Sequence, residues 1–437
     1  MSSLSKFMSA NVVLSKLATN KQYAENLPYV EGMKAYDNNP FHPVKNPNGV
    51  ILMNLADNQL SVDLIKEYLT KKNLQISIEF FRKLANFQDY HGLPEYTEAI
   101  AKYMEETRGG KVKFDPKRVV MSAEANGAKQ TLISCLADPG DALLDLSYLR
   151  RFAKDIRWGT NVQLVPISCK SSNNFKITIE AIKETFEKVQ EEKIKVKGMI
   201  LSNPSNPLGT ILDRDTLKKI LTFTNEHNIH LVCDEIYAGT VFDAPQFVSI
   251  AEIMDEISCV NKKLVHIVSS VSKEVGFPGF QVEIVYSFND DVVNCARKMS
   301  SFSLVSSLTQ HSLPSMFGNG FIEKFLIENT KKLRERHEKF TSELEKVGIK
   351  CLKSNAGVYC WVDLRTLLKE QTPDAEESLR KQIINDAKLN ISPGSSFSCS
   401  EAGWFRICFA NIDDQTMEIA LQRIQKFVQS NTRKLML

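Results

Sequence analysis

The sequence predicts an α/β protein: a large domain on a mostly parallel sheet, followed by a smaller α+β domain. Two observations predict it. From about Asp115 onward, short apolar runs alternate with amphipathic stretches of helical period, the pattern of a sheet covered on both faces. Beyond one long periodic segment, Ile322 to Val347, that alternation gives way to a shorter mixture of strand-like and helix-like pieces.

The elements follow in chain order. Before Val50 the chain is polar and punctuated by Asn38-Asn39-Pro40 and Asn46-Pro47-Asn48-Gly49, which reads as an arm or irregular cap. The apolar runs are Arg118 to Met121, Ala142 to Leu144, Val162 to Val165, Gly198 to Leu201, Ile229 to Cys233 and Leu264 to Val268. Amphipathic stretches such as Thr178 to Glu192 and Asp213 to His227 separate them. Ile322 to Val347 is a connecting helix. After it come Cys360-Trp361-Val362, Phe405 to Phe409 and a final helix from Asp414 to Gln429. The expected division is 1–50 as arm and part of the small domain, 51–315 as large domain, and 316–437 as small C-terminal domain.

Composition excludes several function classes. Of 437 residues, 43% are hydrophobic and 24% charged, an ordinary globular balance with a large core to bury. The net charge of +3, from 55 basic and 52 acidic residues, provides no field for nucleic acid or a membrane surface. Basic runs such as Lys331 to Arg336 are interleaved with Glu and read as solvated helix faces. Nine cysteines stand singly without a CxxC pair, which suits free thiols in a reducing compartment and no metal site. No apolar leader and no run of about 18 apolar residues is present, so a soluble cytoplasmic protein is expected.

In open α/β sheets ligands bind beyond the carboxyl ends of the strands, so the residues after each run are the candidates. After Gly198 to Leu201 comes Asn203-Pro204-Ser205-Asn206-Pro207-Leu208-Gly209, a rigid turn that presents the Asn206 amide, or only a turn. After Ile229 to Cys233 comes Asp234-Glu235-Ile236-Tyr237. An acid closing an apolar strand needs a buried cation, or it caps the next helix. After Leu264 to Val268 comes Ser269-Ser270-Val271-Ser272-Lys273, followed by Gly276 and Gly279. A lysine there is a Schiff-base candidate, because a desolvated amine is a usable nucleophile and base. In Trp404-Phe405-Arg406 an arginine lies in an apolar strand, where it needs a substrate carboxylate or an internal salt bridge.

Taken together, Asn-Pro-x-Asn-Pro-x-Gly, Asp-Glu-x-Tyr and Ser-x-Ser-Lys in this order resemble fold-type I, class I/II aminotransferases, which use pyridoxal 5′-phosphate (PLP). A finer resemblance is to the plant 1-aminocyclopropane-1-carboxylate (ACC) synthases. Leu17-Ala18-Thr19-Asn20, Asn39-Pro40-Phe41-His42-Pro43, Gln88-Asp89-Tyr90-His91-Gly92, Asp234 to Phe242 and Gly403-Trp404-Phe405-Arg406 carry it. The resemblance implies that 51–315 binds PLP and that Lys273 holds the cofactor as a Schiff base, then removes the substrate α-proton. It implies that Asp234 keeps the ring nitrogen protonated and that Tyr237 and Asn206 bond the ring O3′. Ser270, Ser272, Asn126 and position 281 match phosphate-binding positions, and Arg406 the carboxylate grip. Tyr90 would reach the neighbouring subunit's phosphate and substrate, which implies a homodimer, or a heterodimer with related subunits. The implied reaction turns S-adenosylmethionine into ACC and methylthioadenosine, the ethylene-forming route.

Several positions depart from the family. Where the family has Arg, this chain has Gln281, so a dianionic phosphate loses a bidentate partner contributing ~1.5–3 kcal/mol. The glycine-rich cradle reads Ala123-Glu124-Ala125-Asn126-Gly127, and the Tyr-Tyr-Pro-Gly segment reads Tyr148-Leu149-Arg150-Arg151. The family's substrate-recognising Glu is Asp57, one methylene shorter. Three readings remain open at this point: an ACC synthase with adjusted anchors, a PLP enzyme redirected to another amino acid or to transamination or β/γ-elimination, and a non-catalytic regulatory subunit.

Overall fold

The computed structural model describes residues 28–71, 82, 84–86, 89–123, 125–146, 150–301, 303–318 and 320–435. The Leu17-Ala18-Thr19-Asn20 motif, Gln88, Glu124, Tyr148 and Leu149 lie outside the described residues, as do the side chains of Arg150 and Arg151.

The apolar runs of the large domain form strands, and each carries residues for both faces of one sheet. After a short strand β1 (Ile51–Leu52) come β2 (Val119–Ser122), β3 (Ala142–Leu146), β4 (Gln163–Pro166), β5 (Val196–Ser202), β6 (His230–Asp234), β7 (Val265–Ser270) and β8 (Glu283–Ser287). Among the described residues, β2 to β8 make a seven-stranded sheet in the order β2-β8-β7-β6-β5-β3-β4. Only β8 runs against its neighbours, pairing antiparallel with both β2 and β7. That strand was not among the apolar runs read from sequence, because it opens on the charged Glu283.

Side chains alternate across the sheet with period two. Met199, Leu201, Leu231, Cys233 and Ile267 pack into one apolar cluster, and Ile200, Val232 and Val268 into the other. Both faces are therefore covered, as a parallel sheet requires. Each fully buried aliphatic side chain contributes about 1.5–3 kcal/mol. The covering helices start where a side chain caps them. Thr178 accepts from Ala181 N–H ahead of the Ile179–Glu191 helix, and Asp213 from Thr216 N–H ahead of Arg214–Glu226.

The long helix Phe321–Lys346 leads to the smaller sheet, in which β9 (Lys350–Cys351), β10 (Tyr359–Asp363), β12 (Ser392–Pro393) and β13 (Trp404–Cys408) are antiparallel in the order β12-β13-β10-β9. β11 (Leu389–Asn390) pairs instead with β1, which ties the chain near Ile51 to the C-terminal part. The final helix runs Asp414–Leu435, longer than its sequence pattern suggested. Residues 28–38, read as part of an arm or cap, are helical: Pro28 opens the first turn, Glu31 suits its positive end, and Gly32 lies against the Asn390 side chain.

Candidate active site

The ends of β5, β6 and β7, the start of the Ala125–Leu136 helix and β12–β13 converge on a cavity of about 720 Å³. Its wall includes Asn206, Tyr237, Lys273, Gln281 and Arg406, together with Asn126 and Ser272. Strand register explains the convergence: Ser202 lies beside Asp234, and Asp234 beside Val268, so the residues beyond each strand end meet in one place.

Lys273 follows β7, and its Nζ donates to the Ala56 carbonyl at 2.9 Å. Gly276 makes this contact possible. Its φ is +77° and a Cβ there would fall 2.3 Å from the Asn58 carbonyl, so only glycine lets the 56–58 segment lie against the lysine loop. Burial lowers the Lys273 pKa, opposed by Glu283 and Asp57, which leaves more of the amine neutral.

Arg406, buried in β13, donates to Asn206 Oδ1 at 2.8 Å and to the Asn54 carbonyl at 2.5 Å, while its Nε has no partner. Phe397 and Tyr359 flank the guanidinium at 4.8 and 5.2 Å. Among the described residues it makes no ion pair, so the internal salt bridge weighed from sequence does not form. Tyr237 is buried, 5.5 Å ring to ring from Tyr359, and burial raises its pKa. Neighbouring Glu235 faces elsewhere, holding Arg108 at 2.8 Å in a buried pair bonded also to Ser249. Its place in Asp-Glu-x-Tyr is structural.

Two residues that sequence reasoning missed complete the wall. Lys129, one helical turn beyond Asn126, places Nζ 2.8 Å from Asp234 Oδ2, with both side chains 2% exposed. Glu283 opens β8 directly opposite Ser270, and its Oε1 accepts from Ser270 Oγ at 2.7 Å and from Ser272 Oγ at 2.8 Å. Its Oε2 has no partner. Burial pushes the Glu283 pKa up to about 7, against the pull of the two serines, Lys273 and Lys129.

Two other expected site residues stand apart from the cavity wall. Asp57 turns onto its own loop, accepting from Asn58 N–H and the Gln59 amide at 2.8 and 2.6 Å, and is not part of the cavity wall. Tyr90 lies outside the cavity, 39% exposed and tilted over His91 at 4.3 Å. Gln281 reaches the cavity from an exposed position with φ +50°. Among the described residues no group of His, Cys, Asp or Glu is placed to hold a metal, and no helix is long and apolar enough to cross a membrane.

The sequence profile of the aminotransferase class I and II family matches residues 50–424. The chain belongs to that family. Within it, the chain is 70% identical to 1-aminocyclopropane-1-carboxylate synthase 4 of Solanum lycopersicum, over 96% of this chain and 90% of that one. It is 64% identical to the 1-aminocyclopropane-1-carboxylate synthase of Nicotiana tabacum, over 95% and 86%. These identities place this aminotransferase-family chain in the ACC synthase group. Its fold matches the aspartate aminotransferase of Rhizobium meliloti (TM-score 0.76, 19% identity, 96% of this chain and 99% of that one). It likewise matches the alanine aminotransferase of Pyrococcus furiosus (TM-score 0.76, 20%, 96% and 100%).

PLP presents three ends to such a site: an aldehyde, a ring nitrogen and a phosphate. The aldehyde end fits this family member, since Lys273 offers a buried amine beside Tyr237 and Asn206. The other two ends do not fit. The Asp234 carboxylate is already paired with the Lys129 ammonium, and the Ser270 and Ser272 hydroxyls already donate to the Glu283 carboxyl group.

Proposed function

We propose that this chain is a lyase of ACC synthase type acting on an α-amino acid, with S-adenosylmethionine as parent substrate and PLP as the cofactor of its type. Arg406 carries the reading. A buried guanidinium with only neutral partners, an orphaned Nε and aromatic flanks is suited to a carboxylate brought by a ligand. The names of its 55–70% identical relatives support the product.

In the parent reaction the α-proton leaves, the α-carbon bonds the γ-carbon, and the carbon–sulfur bond breaks with its electron pair on sulfur. ACC and methylthioadenosine result. Arg406 fixes the α-carboxylate and thereby the α-carbon. Lys273, whose charged form burial disfavours, receives the α-proton at Nζ. Asn206 orients Arg406 through its Oδ1, and Tyr237 presents a protonated hydroxyl to the same space. The cavity has room for an amino acid with a large sulfonium substituent.

One observation favours a second reading, a regulatory subunit without turnover: the protein's own Lys129 and Glu283 meet the residues suited to two of the cofactor's three ends. In either reading we infer a cytoplasmic homodimer, or a heterodimer with related subunits, in which exposed Tyr90 serves the neighbour's site. The free cysteines suit a reducing compartment. We also infer that 51–315 works as the cofactor domain and 316–437 as a separate small domain.

The site assignment has a direct test. At millimolar PLP the full-length protein is expected to develop a visible absorption band that Lys273→Ala abolishes. A band that survives the substitution would move the reactive amine to another lysine.

A further inference from the structure

We propose that Glu283 and Lys129 act together as a built-in occupant of the cofactor seat, Glu283 in place of the phosphate and Lys129 in place of the protonated ring nitrogen. This inference rests on the reading of the cavity as a PLP site and adds what controls its loading.

The fold puts both residues there. Because β8 runs antiparallel to β7, its first residue lies opposite the last residue of β7, and Glu283 meets Ser270 at the rim of the site. It also pairs with Ser122 of β2, so it sits between two strand ends aimed at the cavity. Lys129 follows Asn126 by three helix positions, which puts both on the face turned to the cavity. Its ammonium reaches Asp234 and lies 4.6 Å from the Phe152 ring centre.

The charges match those of the cofactor. Two hydroxyls suited to a phosphate converge on one carboxylate oxygen of Glu283, and the carboxylate suited to a pyridinium holds an ammonium. A phosphate arriving at Ser270 and Ser272 meets an anion already in their grip. A protonated ring nitrogen arriving at Asp234 meets a cation. The groups facing Glu283 are Lys273 on its loop, Lys129 on its helix and the buried, neutral hydroxyls of Tyr96 and Tyr103, whose pKa values burial raises. At pH 8, above its own raised pKa of about 7, Glu283 is mostly ionised in the free protein, so an arriving phosphate meets its charge.

Gln281 is therefore not the main obstacle. It lies at the exposed edge of the cavity, and an arginine placed there would still leave Glu283 between the serines and the phosphate.

The test is PLP binding at pH 8, read by spectral titration and by equilibrium dialysis. It compares wild type, Glu283→Gln, Glu283→Ala, Lys129→Met, Glu283→Ala with Lys129→Met, and Gln281→Arg. Glu283→Gln removes charge at constant volume and Glu283→Ala removes both, so the pair separates repulsion from crowding. Circular dichroism checks that each variant is folded. The expected result is weak binding by wild type, tightened about a hundredfold by Glu283→Ala and further by the double variant, with little change for Gln281→Arg. Tight wild-type binding that these substitutions leave alone or weaken would overturn the inference while leaving the PLP reading standing. Failure of every folded variant to bind PLP would overturn that reading, and the inference with it.

Discussion

Replacing Arg406 by lysine is expected to weaken α-amino-acid binding by about a hundredfold while leaving the fold intact. The guanidinium is held by Asn206 and the Asn54 carbonyl, and its remaining N–H groups are free to make two charge-assisted bonds to one carboxylate. Lysine presents a single point charge and cannot reproduce the fork. Phe397 and Tyr359 exclude water from the guanidinium faces, which strengthens what a carboxylate gains there. Calorimetric titration with S-adenosylmethionine and with its decarboxylated analogue measures the effect. Wild type should prefer the acid strongly, and Arg406→Lys should lose most of that preference. Equal binding of acid and amine by wild type would remove Arg406 from the site.

Glu283→Gln is expected to stabilise the protein at pH 8 by roughly 3 kcal/mol and at pH 5 by less than about 1 kcal/mol. Burial raises the Glu283 carboxyl from its ordinary 4.5 to about 7, so folding favours the protonated form. Its contribution is complete below pH 4.5 and is lost as pH rises through 7, where the buried group must ionise. Glutamine keeps the hydrogen bonds with Ser270 and Ser272 without that cost. Glu274, bonded to Tyr103 and to Gly239 N–H, is raised by burial to about the same value, so some loss of stability remains in the variant. Denaturant midpoints at the two pH values decide it. An equal gain at both would assign the effect to packing.

Most of the architecture was legible because buried parallel strands must be apolar along their whole length. The runs ending at Leu201, Cys233 and Val268 became β5, β6 and β7, and Asn206, Tyr237, Lys273 and Arg406 meet in one cavity beyond the strand ends. β8 escaped because its leading residue is an acid. Glu283, before Ile284-Val285, is an acid beside an apolar run and needs a buried partner for the same physical reason as Asp234. Lys129 escaped for another reason. A lysine at helical spacing looks solvated, and only the placement of its helix over β7 and β8 turns it toward Asp234. Asp57 shows the converse: a position that matches the family's motif, with a shorter side chain that closes on its own turn.

Product analysis with S-adenosylmethionine and saturating PLP tests most directly whether this is an ACC synthase site whose cofactor seat is closed by its own residues. Wild type and the Glu283→Ala, Lys129→Met double variant are compared for ACC and methylthioadenosine. The account predicts slow formation of both by wild type, in equal amounts, and a rate at least about tenfold higher in the double variant. Rapid wild-type turnover that the substitutions do not improve would contradict the closed seat, and a double variant that holds PLP yet forms neither product would contradict the ACC synthase site.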